Sequence, residues 1–595
     1  MNRANGTSRT IRFPLVNHLQ VKPMHTKFCP SPVLRLSTLA VMISLAMSSV
    51  ALAQSVPTNI PSTGGISSGM LLQQVPQQPS TVPSSDLDLR MLHSEKTPIA
   101  DSQAFLVKQI EITGNTLLST ERLRSLVVGY EGKQLTLDNL QDLANNISAA
   151  YLRAGYPLVR VYVPAQKLSD GVVKLAVVEA RYGKVVLQNQ SAVKDRPLQA
   201  TLAPLQSGQP VSNYTLERSL LLLSDIPGAQ ASSAIKPGDA FGTSDFLVNV
   251  TSAPRYTGTL GLDDYGNQYT GRARATGTFA VNSLLHQGDL LDFSAASSGG
   301  GTNYLQGGYR YLLNGQGTTL RAGVSSLHYH LGGNLSSLDA SGSALVGSVT
   351  LTQPIVRNTA ANLYGQIEFD HKLLKDDIGL VGIDTDRQAN VWVATLAGDE
   401  RDAHGITNYN LSMSHGDIDY SNDLANLIDY VTARAQGSYN KYTFSLSRLQ
   451  KLGDNDALYA GFTQQWASKN LDTSEQFFLG GPNTVRSYDV GVLAGSQGNL
   501  FSLEYRHDFI IPNVTGQWQA KLFGDTGRVT VYKDTFERGI NSGRLNSAGL
   551  GLSWTGPHNW SASAAVAKPI GNTSELLPNA NTKTRLWVQV MKGFD

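Results

Sequence analysis

One arginine carries most of the chemical interest in this chain. Arg486 lies in the loop Gly-Gly-Pro-Asn-Thr-Val-Arg-Ser-Tyr-Asp-Val-Gly, residues 480–491, flanked by Val485, Ser487 and Tyr488. A planar guanidinium offers a donor fork that fits a carboxylate bidentately. A candidate acceptor follows in Phe523-Gly-Asp-Thr-Gly527, where Phe523, Asp525 and Gly527 alternate along one face of a strand. If that face is shielded from water, Asp525 needs a compensating cation. Otherwise Arg486 is an ordinary solubilising loop residue.

The remaining reactive side chains form no such constellation. His328 and His330 share one strand face, but two histidines without a third ligand make a poor metal site. The acidic stretch His-Gly-Asp-Ile-Asp-Tyr-Ser-Asn-Asp, 415–423, lacks the glycine and terminal glutamate of a calcium loop and reads as a solvated loop. Gly65-Ile-Ser67-Ser-Gly69 matches the nucleophile-elbow pattern, yet no strand precedes it and no helix is evident after it. There is no Walker A, HExxH or GxGxxG pattern in a suitable context. No enzyme activity, cofactor or metal is expected, and no basic block suits a nucleic-acid footprint.

The N-terminus bears on compartment. Residues 1–35 hold Arg3, Arg9, Arg12, Lys22, Lys27 and Arg35 without an acid, followed by the apolar run 36–50 and Ala-Leu-Ala-Gln. This predicts a signal peptide, 1–53, cleaved after Ala53, because the run is shorter than the ~20 residues of a spanning helix. Cleavage would remove Cys29, the only cysteine, and leave 42 basic against 46 acidic residues. The mature chain would then have no disulfide. No later segment holds ~18 uninterrupted apolar residues, so a membrane location would require a closed barrel.

Residues 54–100 are rich in Pro, Ser and Gln and read as a linker. Within it Gly-Met-Leu-Leu-Gln-Gln-Val has the composition for one or two helical turns. From about 101 the pattern becomes strand, helix, helix, strand, strand, and this order repeats over 101–179 and 180–254. Each α+β module spans about 75 residues. Beyond 255, segments alternate apolar and polar residues between Gly/Asn/Asp/Ser clusters, with no convincing amphipathic helix. In 500–509, Phe501, Leu503, Tyr505 and Phe509 oppose Ser502, Glu504, Arg506 and Asp508. A polar second face suits a lumen, and tilted strands of ~10 residues over 255–595 make about sixteen strands. A two-sheet sandwich also alternates, though usually with shorter strands.

With these parts in order, the sequence resembles the two-partner-secretion translocators (TpsB type), the outer-membrane family that exports haemolysins and filamentous haemagglutinins. The residues carrying the resemblance are Val485-Arg486-Ser487-Tyr488 and Phe523-Gly-Asp525-Thr-Gly527. Phe-Phe-Leu-Gly-Gly-Pro-Asn-Thr-Val, 477–485, and the barrel opening 260–279 also match. The resemblance implies two polypeptide-transport-associated (POTRA) modules facing the periplasm of a Gram-negative bacterium. They precede a sixteen-stranded outer-membrane barrel, with a pore loop, 475–498, folded into its lumen and a plug helix within 54–100.

It further implies export of one large unfolded partner protein, met through its N-terminal region. The other expected partners are outer-membrane lipid and, for its own insertion, the barrel-assembly machinery. Ser487 replaces the family's glycine, and would be strained if that position needs φ > 0. Client capture by β-augmentation suggests the edges of 158–166 and 228–235, with Leu158, Val159, Val161, Val163, Ala229 and Ala231 as candidate residues. The alternatives are a barrel-insertion factor, which usually carries more POTRA modules, and a passive solute porin, in which such modules would be superfluous.

Overall fold

The computed structural model describes residues 66–75, 103–167, 170–536, 538–572, 574, 576–577 and 584–595. It also describes the backbone of 9–10 and 89–91. The expected leader, 1–53, lies outside these residues apart from Arg9–Thr10, whose backbone pairs with Leu89–Met91. Most of the linker, 54–100, also lies outside them.

The first α+β unit forms because two amphipathic helices, Thr120–Val127 and Leu137–Arg153, cover one face of a small sheet. Thr136 and Asn139 close a reciprocal capping box that starts the longer helix. Leu140, Leu143, Ile147 and Tyr151 recur at helical spacing and bury against Val173, Leu175 and Val177. In the sheet, Val172–Val178 is central, parallel to Gln109–Thr113 and antiparallel to Arg160–Tyr162. Arg160–Tyr162 is therefore an edge strand.

The second unit repeats the plan with helices Asp195–Leu202 and Asn213–Ser224. Its strands are Arg181–Gln190, Ala229–Pro237 and Thr243–Ser252. Here the outer side of Ala229–Pro237 is partly taken: Leu89–Met91 lies parallel to Ser233–Ile235. Ala229 and Ala231 lie beyond that pairing and turn into the unit's own core.

Sixteen antiparallel strands among the described residues, from Tyr256–Asp263 to Arg585–Phe594, close into a barrel. The first and last pair over Gly258–Asp263 and Gln589–Phe594. Closure leaves no unpaired edge, as a bilayer demands. Several strands run well past the expected ten residues, Ile383–Asp402 reaching 20. They continue as polar hairpins beyond the apolar band, so hydrocarbon thickness does not limit them. His415–Tyr420 accordingly belongs to the strand Gly405–Tyr420 rather than to a loop. A helix that alternation did not suggest, Asp423–Val431, caps that hairpin from an Asn422 N-cap. His328 and His330 are exposed on an ordinary strand face.

The second α+β unit docks under the barrel. Arg357, fully buried at a strand end, donates bidentately to Asp225 at 2.7 and 2.8 Å. Glu217 accepts from the Thr359 backbone N–H and hydroxyl at 3.1 and 3.0 Å. Since the chain enters the barrel from this side, the connection between the eleventh strand (Asp456–Ala467) and the twelfth (Gln497–Phe509) opens on the opposite side.

Within the first unit, Glu179 holds the sheet to the helices. Its carboxylate accepts from the backbone of Thr116 and Leu117 at 2.7 and 2.8 Å and from the Tyr151 hydroxyl at 2.8 Å. Burial pushes this carboxyl up, but the donors from Leu117, Thr116 and Tyr151 outweigh it and hold it below its ordinary value of 4.5. A depressed folded value contributes stability above the ordinary value that is lost as pH falls through the folded one. In a fragment spanning 103–254, Glu179→Ala should cost about 2 kcal/mol near neutral pH, by orphaning buried donors. The deficit should shrink as pH falls below the ordinary carboxyl value and through the depressed folded one. A thermal-melt series with a pH-independent deficit would refute this assignment.

Candidate functional site: a pore loop locked in the lumen

The segment joining the eleventh and twelfth strands folds into the barrel as a hairpin, with Phe477–Leu479 antiparallel to Leu493–Gly495. Phe477, Leu479, Val485, Tyr488 and Leu493 pack on wall residues Leu500, Val529 and Leu545. Gly527 makes this approach possible, since a Cβ there would lie 2.7 Å from both Leu479 methyl carbons. Gly480 turns the chain at φ +100°, where a Cβ would meet the Asp489 carbonyl oxygen at 2.1 Å.

At the tip, a tight turn closes through the Tyr488 N–H and the Val485 carbonyl at 3.3 Å. It aims Arg486 at the wall. Nε and one terminal nitrogen donate to the two oxygens of Asp525 at 2.9 and 2.6 Å. The Arg486 backbone N–H adds a third contact at 3.3 Å, and Ser547 donates to the same carboxylate at 2.9 Å. The guanidinium carbon lies 3.5 Å from the Phe523 ring centre, over its face. The Trp587 indole N–H, from the last strand, donates to the Arg486 carbonyl at 2.6 Å. Asp525 is only 3% exposed, so its charge depends on these partners.

The structure thus brings together Val485, Arg486, Tyr488, Phe523, Asp525 and Gly527. Ser487 is buried in the same turn, but its φ is not positive, so the expected strain is absent. Its hydroxyl instead is buried without a hydrogen-bond partner. Four participants were not foreseen: Ser547 and Trp587, and the pair Glu504 and Arg506. Arg486 donates its remaining terminal nitrogen to Glu504 at 2.6 Å, and Arg506 donates to the other Glu504 oxygen at 2.6 and 2.9 Å. Alternation in 500–509 assigns both Glu504 and Arg506 to the inward face, and that was the available signal. The cluster on the wall is therefore Arg486–Asp525 joined to Arg506 through a shared Glu504.

The linker supplies a second obstruction. Ser68–Gln74 is a helix inside the barrel, with Ser67 as N-cap and Met70 and Leu71 against Leu327, Tyr329, Ala344 and Leu374. Ser67, the serine of the elbow-like pattern, accepts from the Met70 N–H at 3.2 Å and contacts Thr473 at 2.8 Å. Its role is capping. The helix also touches the pore loop, where a Cβ on Gly491 would collide with Met70.

Comparison with known proteins agrees with this layout. A sequence model of the ShlB-type POTRA domain matches residues 105–180. That of the haemolysin secretion/activation proteins ShlB/FhaC/HecB matches 242–554. The heme/hemopexin transporter protein HuxB of Haemophilus influenzae is 28% identical over 545 residues, 90% of this chain and 95% of that one. The outer membrane transporter CdiB of Dickeya dadantii is 23% identical over 461 residues, 74% and 76% of the two chains. The solved structure of CdiB from Escherichia coli shares the fold, with a TM-score of 0.66 at 19% identity over 96% of this chain and 100% of that one.

The shared Glu504 makes the two halves of the lock unequal. Arg486→Ala removes both ionic contacts of the tip, whereas Asp525→Ala leaves Arg486 on Glu504. Loss of a buried partner costs about 3 kcal/mol, less where water enters. Amide exchange over 480–491 should therefore accelerate roughly a hundredfold in Arg486→Ala and clearly less in Asp525→Ala. Equal acceleration would exclude a share for Glu504. Ser487→Ala should leave exchange unchanged or slow it slightly, because it removes an unsatisfied hydroxyl.

Proposed function

Since the chain belongs to the haemolysin secretion/activation protein family ShlB/FhaC/HecB, we propose that the loop tip Val485–Tyr488 and its wall partners form the lock of its export pore. The protein is an outer-membrane translocator that moves a secreted partner protein out of the cell, with its POTRA region in the periplasm. The observation that carries the lock reading is the bidentate Arg486–Asp525 contact inside a lumen that also holds the helix Ser68–Gln74. Both segments stand in the path of a chain in transit. The few polar contacts at the tip let the loop leave without disturbing the barrel's own hydrogen bonding.

On the periplasmic side, the client adds as an extended strand to Arg160–Tyr162, the edge of the first unit. Main-chain pairing accepts any sequence, while Val159, Val161 and Val163 turn into the unit's own core and hold the edge strand in place. Ala229–Pro237 is the second candidate edge. The client is one large exoprotein of haemolysin or adhesin type, recognised through its N-terminal region. Its folding outside the cell supplies direction without nucleotide. The barrel itself reaches the membrane through the barrel-assembly machinery.

Comparing culture supernatants of wild type and a deletion strain tests the reading directly. One large protein should vanish from the deletion supernatant and return with the wild-type gene, and with Arg486→Ala only weakly. Unchanged secretion alongside a general loss of outer-membrane barrels would overturn export in favour of insertion. A fragment spanning 103–254 should bind the N-terminal region of the missing protein at roughly micromolar strength. No binding by calorimetry would remove the capture role from these units.

A further inference from the structure

The pore loop has a second ionic attachment, at its root and with reversed polarity. The tip presents a cation to carboxylates, whereas the root presents Asp472 and Glu475 to cations on another arc of the wall. Glu475 accepts from Lys372 at 2.9 Å and from Lys441 at 2.6 Å. Asp472 accepts from Arg387 at 2.8 Å and from the Tyr420 hydroxyl at 3.2 Å. Both carboxylates are buried, Glu475 to 1% exposure. Lys372, Arg387 and Lys441 come from three strands, Ala361–Ile378, Ile383–Asp402 and Gly437–Lys451. None of them touches the tip's partners.

Arg387 also serves the plug. Its other terminal nitrogen pairs with Asp376. Asp376 in turn accepts from the Ser68 backbone N–H at 2.6 Å, the Ser68 hydroxyl at 3.1 Å and the Tyr329 hydroxyl at 2.9 Å. Plug and root are in direct contact besides: Gln73 donates to the Ser474 carbonyl, and a Cβ on Gly69 would fall 2.6 Å from the Ser474 Cβ. One guanidinium is thus divided between a carboxylate that seats the plug and one that seats the loop.

We infer that Arg387 is a positioning residue that couples the two obstructions, so that departure of the plug helix loosens the root of the pore loop. The physical basis is competition for one cation. While the plug is seated, Ser68 supplies two donors to Asp376, and Arg387 can serve Asp472 as well. When the plug leaves, Asp376 retains only Tyr329 and Arg387, and a poorly solvated carboxylate draws the guanidinium towards itself. Asp472 then keeps Tyr420 and its own turn but loses its charged partner. Glu475, on its two lysines, acts as the hinge that remains.

The inference takes the purpose of loop release from the translocation reading, but its test needs no client. Nitroxides at two exposed sites, Asn483 on the loop and Ser336 on the outer rim, in a Cys29→Ser background, report loop position by pulsed-EPR distances in the purified full-length barrel. Leu71→Asp unseats the plug by placing a charge in its apolar contact without touching Arg387. It should raise the ratio of displaced to seated loop by on the order of tenfold. Adding Asp376→Asn should reverse most of that rise, because a neutral amide no longer competes for Arg387. Arg387→Gln alone should displace the loop even with an intact plug segment, and Arg387→Lys should do so less.

A role confined to folding would lower the yield of inserted barrel and leave these distances unchanged. The coupling is overturned if Leu71→Asp leaves the distribution as in the native chain, or if Asp376→Asn fails to reverse its effect. If Arg387→Gln does not insert, the Leu71→Asp and Asp376→Asn pair decides alone. Unchanged distances in variants that still secrete would reject the coupling while sparing the translocation reading.

Discussion

A closed sheet of sixteen strands satisfies every backbone group in a bilayer, but it encloses more space than its own inward side chains can fill. That mismatch governs the rest of the molecule. The excess lumen has to be filled by other parts of the same chain, and here it holds a helix drawn from the linker and a hairpin drawn from an outer connection. Under the proposed export reading, both fillers have to leave the lumen for a client to pass. Each is attached by apolar packing on the wall and by a limited set of polar contacts with defined geometry.

Ionic contacts suit this requirement. A buried pair contributes little net stability compared with well-packed hydrophobic residues, yet removing one partner alone is costly. Such a contact resists partial opening but permits complete release, because both groups regain water when the lumen floods. The hairpin uses this at both ends, with a guanidinium at its tip and carboxylates at its root. Reversed polarity also prevents exchange: Arg486 cannot settle beside Lys372 and Lys441, nor Glu475 beside Asp525 and Glu504. The register of the loop in the lumen is thereby fixed by charge as well as by the fit of Leu479 over Gly527.

What could be read from the sequence follows the range of the physics involved. Period-two alternation is local, so the inward Glu504, Arg506 and Asp525 were legible from their own segments. The repeated strand-helix-helix-strand-strand units were legible because capping and helical spacing are local too. The Arg486–Asp525 contact was accessible through the two motifs that carry it. The root was not. Asp472 and Glu475 sit in Asn-Leu-Asp-Thr-Ser-Glu-Gln, which has the composition of a solvated loop, and their cations lie 34 to 103 residues away. The plug was ambiguous for another reason. Seven residues are too few to be helical on propensity alone, so its helicity depends on burial that the sequence does not display. Strand length was misjudged because hydrocarbon thickness constrains only the part of a strand that meets lipid.

The docking of the second α+β unit separates the two candidate capture edges. Arg357 and Glu217 fix that unit under the barrel, and the backbone of Leu89–Met91 already pairs with Ser233–Ile235. A client strand adding there would have to displace a strand of the translocator's own linker, the same linker that carries the plug helix. Arg160–Tyr162, among the described residues, pairs on one side only. Adding a strand at that edge forms new main-chain hydrogen bonds without breaking any. The first unit is consequently the less costly place to begin. Displacement of Leu89–Met91 from the second would act on the linker between the plug and the first unit, which places capture and unplugging on one stretch of chain.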